Sequence, residues 1–352
     1  MSARNKPYSI CLKIVLTGVL CALILSGYSL RTDAAQTVIR FHQAQVHVLR
    51  GKSRKLHFSC SGKYKLSSTD KSVATVSRSG TVKGKKAGKC WIVCKCGNTS
   101  ARIRVKVMNS IRSDELLFIG HRGYQDKYPE NTIQSFKGAL KYGAAGVEFD
   151  LWHTRSGDLL AFHDSTLKRM CGKNINIQDI TKSTRSRYPV RAHGKKAKIP
   201  TLEEALSCLK KKNAVAFIHL KHGSGPVYYG KSADKVAQCI RRTGMTGKSV
   251  VFCSTYSTLS YFHSHHPDIT TGYLFMGGSE KAAKADMERF GRAGISYFYF
   301  FWPKDISYSL VKYAHKRGLK VGTYKTRKKG EILDLLDYKA DFCMLYHKMI
   351  SR

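Results

Sequence analysis

The chain has 352 residues, 42% of them hydrophobic and 24% charged, which is ordinary globular composition and excludes a disordered chain. That length allows two domains or one large one, and no long apolar run recurs after the N-terminus, so a multi-span membrane protein is excluded. With 62 Lys+Arg against 23 Asp+Glu, the formal net charge of +39 draws the chain toward polyanions without selecting among anionic lipids, teichoic acids, nucleic acid and phosphorylated substrates.

Arg4, Lys6 and Lys13 precede an uncharged stretch over residues 14–30, and small residues follow at Thr32, Ala34 and Ala35. A basic start, a short apolar core and a small-residue end predict a secretory signal peptide over residues 1–35. A retained N-terminal anchor is the alternative, since the apolar stretch sits at the short limit for spanning a bilayer. In both cases the rest of the chain is expected outside the cytoplasm, secreted or held at the cell surface. Cleavage removes Cys11 and Cys21 and leaves nine of the 11 cysteines, an odd number, so at least one thiol stays free unless it pairs between chains.

Residues 36–110 read as a small all-β sandwich. Apolar residues alternate in VHVLRG, VATVS, CWIVCKC and ARIRVKV, with turn signals at Ser61–Gly62, Ser79–Gly80 and Gly97–Asn98. Cys90, Ile92, Cys94 and Cys96 should share one strand face, as buried small hydrophobes or with one bridge to Cys60, with a metal site as the alternative. The stretch carries 17 Lys or Arg against Asp70 alone, which is consistent with an anionic cell envelope as partner or with a merely solvated basic surface. The absence of an aromatic stacking pattern and of a helical reading motif argues against nucleic acid. The segment KLSSTDKSVATVSRSGTVKGKKAGKCWIV resembles bacterial Ig-like group 2 domains in its Ser-Val-Ala-Thr-Val core, its Ser-Gly turn and its Gly-Lys-Lys-Ala-Gly loop.

From about residue 111 to 352, strands alternate with helices. Strands are predicted at 116–120, 146–150, 214–220, 249–253, 271–275, 295–298, 320–323 and 341–344, with a ninth at 159–162 pairing as a hairpin beside them. Helices are predicted at 132–142, 201–211, 231–242 and 307–317. This alternation over about 240 residues predicts a (β/α)8 TIM barrel. The fold class is thus multi-domain, a barrel preceded by a small all-β unit.

Polar residues cluster just past the early strands, where a barrel builds its active face: His121-Arg122-Gly123, Glu148-x-Asp150 and His163-Asp164. Glu148 and Asp150 share a strand face, and two adjacent carboxylates repel unless a cation or proton lies between them. A hard divalent ion is the simplest resolution. Two histidines beside it can serve as acid and base, and Arg122 offers a forked contact to a phosphate. His121 as a core histidine and Glu148 paired to a nearby lysine are the bland readings of each residue alone.

The run HRGYQDKYPENTIQSFKGALKYGAAGVEFDLWHTRSGDLLAFHDSTLKRMCG, followed by IPTLEEAL, resembles the glycerophosphodiester phosphodiesterase family, whose His-Arg-Gly, Pro-Glu-Asn-Thr, Glu-x-Asp and His-Asp motifs it carries in order. The resemblance spans about Leu116 to Met349. It implies a TIM barrel with a small insertion at about residues 165–198 and a divalent ion, usually magnesium or calcium. It also implies His121 and His163 as the acid/base pair, Glu148 and Asp150 as metal ligands, Arg122 on the phosphate, and Glu130 and Asn131 shaping the site. The reaction implied is cleavage of a glycerophosphodiester to glycerol 3-phosphate and an alcohol.

Later motifs depart from that pattern. Where the family usually reads Glu-Ile-Lys, with the Glu a third ligand, this chain has His219 and then Lys221 at the phosphate-binding lysine. An imidazole there would tilt preference toward manganese or zinc, unless water fills the position instead. Tyr324 replaces the usual Trp, and DFCMLYHK lacks the closing acidic residue. A non-catalytic envelope-binding protein with a degenerate barrel is therefore the alternative to an active enzyme. The run ISYFYFFWP is expected as a buried strand whose end, near Phe301 and Trp302, packs in the core or lines an apolar, choline-sized pocket. His263, His265 and His266 are expected to face solvent.

Overall fold

The computed structural model describes residues 37–221, 229–291 and 293–351; the predicted leader lies outside the described residues. No helix among the described residues is long and apolar enough to cross a membrane.

Residues 39–108 are all β, in nine strands: β1 (Ile39–Phe41), β2 (Val46–Leu49), β3 (Ser53–Lys55), β4 (Phe58–Cys60), β5 (Tyr64–Ser68), β6 (Ala74–Val76), β7 (Thr81–Gly84), β8 (Gly88–Cys96) and β9 (Thr99–Met108). Strands run β2-β9-β8-β5 in one sheet and β3-β7-β6 in a second, with β1 paired to β4. Between the sheets lies a core of Val46, Val48, Val82, Ile92, Ile103, Val105 and their neighbours. The alternation read from CWIVCKC holds: Cys90, Ile92, Cys94 and Cys96 are all buried, and Cys96 is bridged to Cys60.

The second unit is a closed barrel of eight parallel strands: β10 (Leu117–His121), β11 (Gly146–His153), β15 (Val215–Leu220), β16 (Ser249–Cys253), β17 (Thr270–Leu274), β18 (Phe298–Phe301), β19 (Lys320–Thr326) and β20 (Phe342–Leu345). The short β12 (Leu159–Ala161) pairs antiparallel with β11, as the hairpin reading requires. Residues 165–198 form the insertion, with the four-residue helix α2 (Lys168–Cys171) and the hairpin β13 (Val190–Ala192) and β14 (Lys195–Ala197) over a small core around Trp152, Phe162 and Ile177. The sixth barrel strand begins at Phe298, three residues later than predicted. ISYFYFFWP is apolar without period, so nothing in the run marks a boundary; the chain instead turns at Gly294 and buries Ile295 in the helix layer before the strand starts.

Inside the barrel, alternate residues stack as Ile119, Phe217, Val250, Phe252, Leu274, Phe300, Phe342 and Met344. The same period, continued to the C-terminal ends, carries His121, Asp150, His219, Trp302 and Tyr346 to one mouth. The helices outside are α1 (Ile133–Lys141), α3 (Leu202–Lys210), α4 (Tyr229–Arg242), α5 (Tyr256–His265), α6 (Glu280–Asp286), α7 (Tyr308–His315) and α8 (Lys329–Tyr338). α3 starts with a capping box in which Thr201 and Glu204 satisfy each other's backbone N–H. Among the histidines expected in solvent, His266 is in fact 8% exposed: its Nε2 lies 2.8 Å from Asp234, beneath the end of α5.

The β unit is fastened to α8 through one buried carboxylate. Asp337, 1% exposed, accepts the backbone N–H of His47 at 2.6 Å, lies 2.9 Å from His47 Nδ1, and takes Arg54 at 3.1 Å. Arg54 also meets Asp334, which is 42% exposed. Truncating one partner of a buried charged network leaves the others unpaired and costs about 3 kcal/mol, whereas an exposed pair is worth under about 1 kcal/mol. Asp337→Ala should therefore lower denaturation stability by about 3 kcal/mol and Asp334→Ala by less than about 1 kcal/mol, measured by urea unfolding.

Candidate active site

Three strand ends carry the cluster. β10 places His121 opposite Glu148 of β11, and β11 in turn places Asp150 opposite His219 of β15. After β10 the chain turns sharply, with Arg122 at φ 54°, and Asn131, at the start of the α1 segment, adopts the same left-handed conformation. Both are uncommon for residues with a Cβ and mark backbone bent to serve a site.

Asp150 is the centre. Its Oδ1 lies 3.0 Å from both His219 Nδ1 and Lys221 Nζ, and its Oδ2 lies 3.0 Å from Asn131 Nδ2 and 3.3 Å from Arg122 Nε. Asn131 Oδ1 accepts the Asp150 backbone N–H in return. Burial alone would raise the Asp150 pKa, but the His219 hydrogen bond and the charges of Lys221 and Arg122 hold it well below the ordinary carboxylate range. Glu148 goes the other way: burial and the neighbouring charge of Asp150 raise it, although the Arg122 backbone N–H donates to it at 2.9 Å.

Arg122 reaches from this centre to Glu130 at 3.0 Å, and Glu130 is shared with Arg169 at 2.6 Å. The Arg122 Nε–H is buried and not aligned with any acceptor, Asp150 included. A buried donor of that kind is costly unless something accepts from it, and an oxyanion in the mouth would.

The two histidines differ in state. Gln125 Nε2 donates to His121 Nδ1 at 3.1 Å, which leaves the His121 proton on Nε2. That nitrogen is 4.0 Å from Glu148. On the other side, His163 Nδ1 donates to Asp164 at 2.6 Å, which leaves Nε2 as a free base. Burial lowers both pKa values, that of His121 well below normal, with the charge of Arg122 adding to it. Asp164 is itself held by Arg169 at 2.7 Å. His219, pushed down to about 4 chiefly by burial, stacks on Phe252 at 4.8 Å, and its Nδ1 donation to Asp150 leaves Nε2 as its lone-pair nitrogen.

Glu148, Asp150 and His219 each present one ligand atom within a 4.8 Å group. Two crowded buried carboxylates beside a neutral imidazole suit a divalent cation. All nine residues singled out from the sequence thus converge on one mouth. Asp164, Gln125 and Arg169 join them. Asp164 stood inside the His-Asp motif, but Gln125 and Arg169 carried no signal of their own. Of the two readings for the end of β18, core packing holds for Phe301, which is buried in the helix layer, while the Trp302 ring faces the Lys325 ammonium, 5.5 Å from its centroid.

Residues 121–348 match the model of the glycerophosphoryl diester phosphodiesterase family. The chain belongs to that family. It is an enzyme, a phosphoric diester hydrolase by that membership. It is 27% identical over 222 residues to the glycerophosphodiester phosphodiesterase of Caldanaerobacter subterraneus subsp. tengcongensis, covering 61% of this chain and 88% of that one. It is 26% identical over 269 residues to the Bacillus subtilis enzyme of the same name, covering 68% and 88%. Among solved structures, the Thermotoga maritima glycerophosphodiester phosphodiesterase aligns with a TM-score of 0.54 at 21% identity, over 66% of this chain and 96% of that chain. An Oleispira antarctica phosphodiesterase in complex with sn-glycerol-3-phosphate aligns with a TM-score of 0.58 at 19% identity, over 66% and 93%. At those identities the structures speak to the fold, a TIM-type barrel shared by the family.

The His163–Asp164 pair yields a direct check. His163 should titrate below the ordinary 6.5. The Asp164 charge favours imidazolium, so Asp164→Asn should lower that pKa further. Two-dimensional NMR of the histidine ring protons reads both; a rise in the variant would refute the assigned hydrogen bond.

Proposed function

We propose that the protein is an exported, metal-dependent phosphodiesterase that hydrolyses glycerophosphodiesters to glycerol 3-phosphate and an alcohol. The observation that carries this reading is the pair of histidines in complementary states, one with a free basic nitrogen and one with a donor, on either side of a buried Glu148–Asp150 couple with an unsatisfied arginine N–H.

In this reading Arg122 and Lys221 hold the non-bridging phosphate oxygens and absorb their growing charge. The free Nε2 of His163 takes the proton from the glycerol hydroxyl beside the phosphate as that oxygen attacks phosphorus and the alcohol departs, giving a cyclic phosphate that water then opens to glycerol 3-phosphate; Asp164 fixes the ring and stabilises the imidazolium. The His121 Nε2–H donates to the departing oxygen as negative charge builds there. Glu130 and Asn131 position Arg122 and Asp150. A divalent ion held by Glu148, Asp150 and His219 would supply Lewis-acid charge at the phosphoryl group. Magnesium or calcium is the family's usual ion, and the imidazole in the donor set favours manganese or zinc here.

The leader over residues 1–35, cleaved or retained as an anchor, delivers the enzyme out of the cytoplasm in this proposal. Residues 36–110 act as a bacterial Ig-like group 2 domain that holds it at an anionic envelope. The outward face of its four-stranded sheet supports that role. Lys65 stands directly opposite Lys95, and Lys89 opposite Lys106, pairings that destabilise a sheet unless a counter-charge arrives. Trp91 lies beneath Arg102 and Arg104, at 4.5 and 5.3 Å. Lys106 has a carboxylate in Glu115, at 2.8 Å; the others present no ion pair among the described residues.

Purified protein should release glycerol 3-phosphate from glycerophosphodiesters, lose that activity on chelation, and regain it with an added divalent ion. His121→Ala and His163→Ala should each lower kcat by about 100-fold or more with the far-UV spectrum unchanged; near-wild-type rates would remove their assigned roles. Binding to vesicles rich in anionic phospholipid should weaken in Arg102→Gln/Arg104→Gln and vanish near ~1 M salt, where screening is strong. Binding indifferent to salt would exclude the electrostatic attachment.

A further inference from the structure

The barrel mouth has a second wall that the reaction above does not use, and an irregularity in β19 builds it. Thr323 stands opposite Cys343 of β20 and Thr326 opposite Leu345, so Tyr324 and Lys325 together face the single residue Met344. That is a β-bulge. The side chains record it: Thr323 and Thr326, three residues apart, are both buried with their hydroxyls 2.7 Å from each other. Strict alternation would put them on opposite faces. The two residues between them therefore turn the other way together. Tyr324 packs against the inner barrel core, and Lys325, which alternation would send to the helix layer, joins the mouth at φ 62°.

The wall is cationic and backed by rings. Lys325 Nζ stands 5.5 Å from the Trp302 ring centre, and Trp302 is 4.3 Å from Tyr324. The Arg327 guanidinium lies 4.5 Å over Tyr346, which stacks on His121 at 5.7 Å. Neither charged head forms an ion pair among the described residues; Glu331, the nearest acid in sequence, accepts the backbone N–H of Arg327 instead. Burial, then the like charges of Arg122 and Arg327, depress the Lys325 pKa, with Asp150 and Glu130 opposing them. Arg122 and Lys221, by contrast, stand against Asp150 and are the pair assigned above to the scissile phosphate. Cation–π contact with Trp302 is likewise already taken by Lys325, which disfavours a quaternary ammonium there.

We infer that this wall receives a second anionic group, so that the preferred glycerophosphodiester carries a negative charge beyond the scissile phosphate, as a terminal phosphate does, and choline-type substrates are discriminated against. The inference rests on the hydrolase reading above. Lys325 and Arg327 are then specificity-determining residues, and the backbone strain at Lys325 is retained because it aims the ammonium inward.

The test compares kcat/KM, by glycerol 3-phosphate release, for glycerophosphocholine, glycerophosphoglycerol and glycerophosphoglycerol bearing a terminal phosphate. The phosphorylated substrate should exceed glycerophosphocholine by about 10-fold or more, the scale of one charge-assisted contact. Lys325→Met should shrink that ratio by about 10-fold, Lys325→Arg should keep most of it, and Arg327→Gln should reduce it independently. A wild-type enzyme that hydrolyses all three equally or prefers the choline ester overturns the inference and leaves the hydrolase reading standing. A ratio unmoved in Lys325→Met and Arg327→Gln does the same. Failure to release glycerol 3-phosphate from any of them overturns both.

Discussion

One buried carboxylate organises the catalytic end of the barrel. Asp150 is 1% exposed, yet it stays ionised because an imidazole, an ammonium, a guanidinium and an amide converge on it from the ends of two neighbouring strands and the segment leading into the first helix. Left alone at that depth it would protonate. Held ionised, it fixes the ends of β10, β11 and β15 relative to one another. The left-handed backbone at Arg122 and Asn131 is the local cost of bringing both side chains to bear on it. Glu148 then becomes the carboxylate that resists ionisation, which is why the couple suits a cation rather than two independent charges.

Much of this was legible because the functional residues sit on regular elements. Period-two alternation on β11 put Glu148 and Asp150 on one face, and strand–helix alternation put their C-terminal ends at one mouth. The cysteine stripe of β8 was readable for the same reason. The limits appeared where period failed. The aromatic run before Trp302 offered no alternation to locate the start of its strand, and an inserted residue in β19 reversed the facing of Lys325 in a way that no spacing rule registers. His266 read as solvent-facing because its partner Asp234 lies 32 residues away on another helix. Gln125 and Arg169 were silent for a related reason: each acts through a residue distant in the chain or at an unremarkable offset.

The β unit shows the same division. Its core followed from alternation, but its attachment did not. His47 lies on β2 with its neighbours Val46 and Val48 buried between the sheets, so the alternation turns it outward, where an exposed surface would be expected. It is buried instead, because Asp337 of α8, 290 residues on, is pressed against it. The face that carries His47 continues across β9 and β8 to Arg104, Trp91 and Lys95. One end of a basic sheet face is thus neutralised by the barrel's own acid while the other end remains free. In a chain this short of carboxylates, that allocation determines which part of the surface is left to meet an external anion.

The same shortage acts inside the mouth. Glu130, Glu148, Asp150 and Asp164 are all engaged, and they are shared among Arg122, Arg169, Lys221 and three histidines. Lys325 and Arg327 arrive on top of a set that is already balanced, backed by Trp302 and Tyr346 rather than by carboxylates. Aromatic faces attract cations weakly enough that an incoming oxyanion can recruit them without first breaking a salt bridge. The bulge in β19 is what makes the difference, since a regular strand would have buried Thr326 elsewhere and turned Lys325 toward the helices. The charge preference inferred above is thus set by a single extra residue in one strand, while His121 at the end of β10 and His163 after β12 keep their geometry.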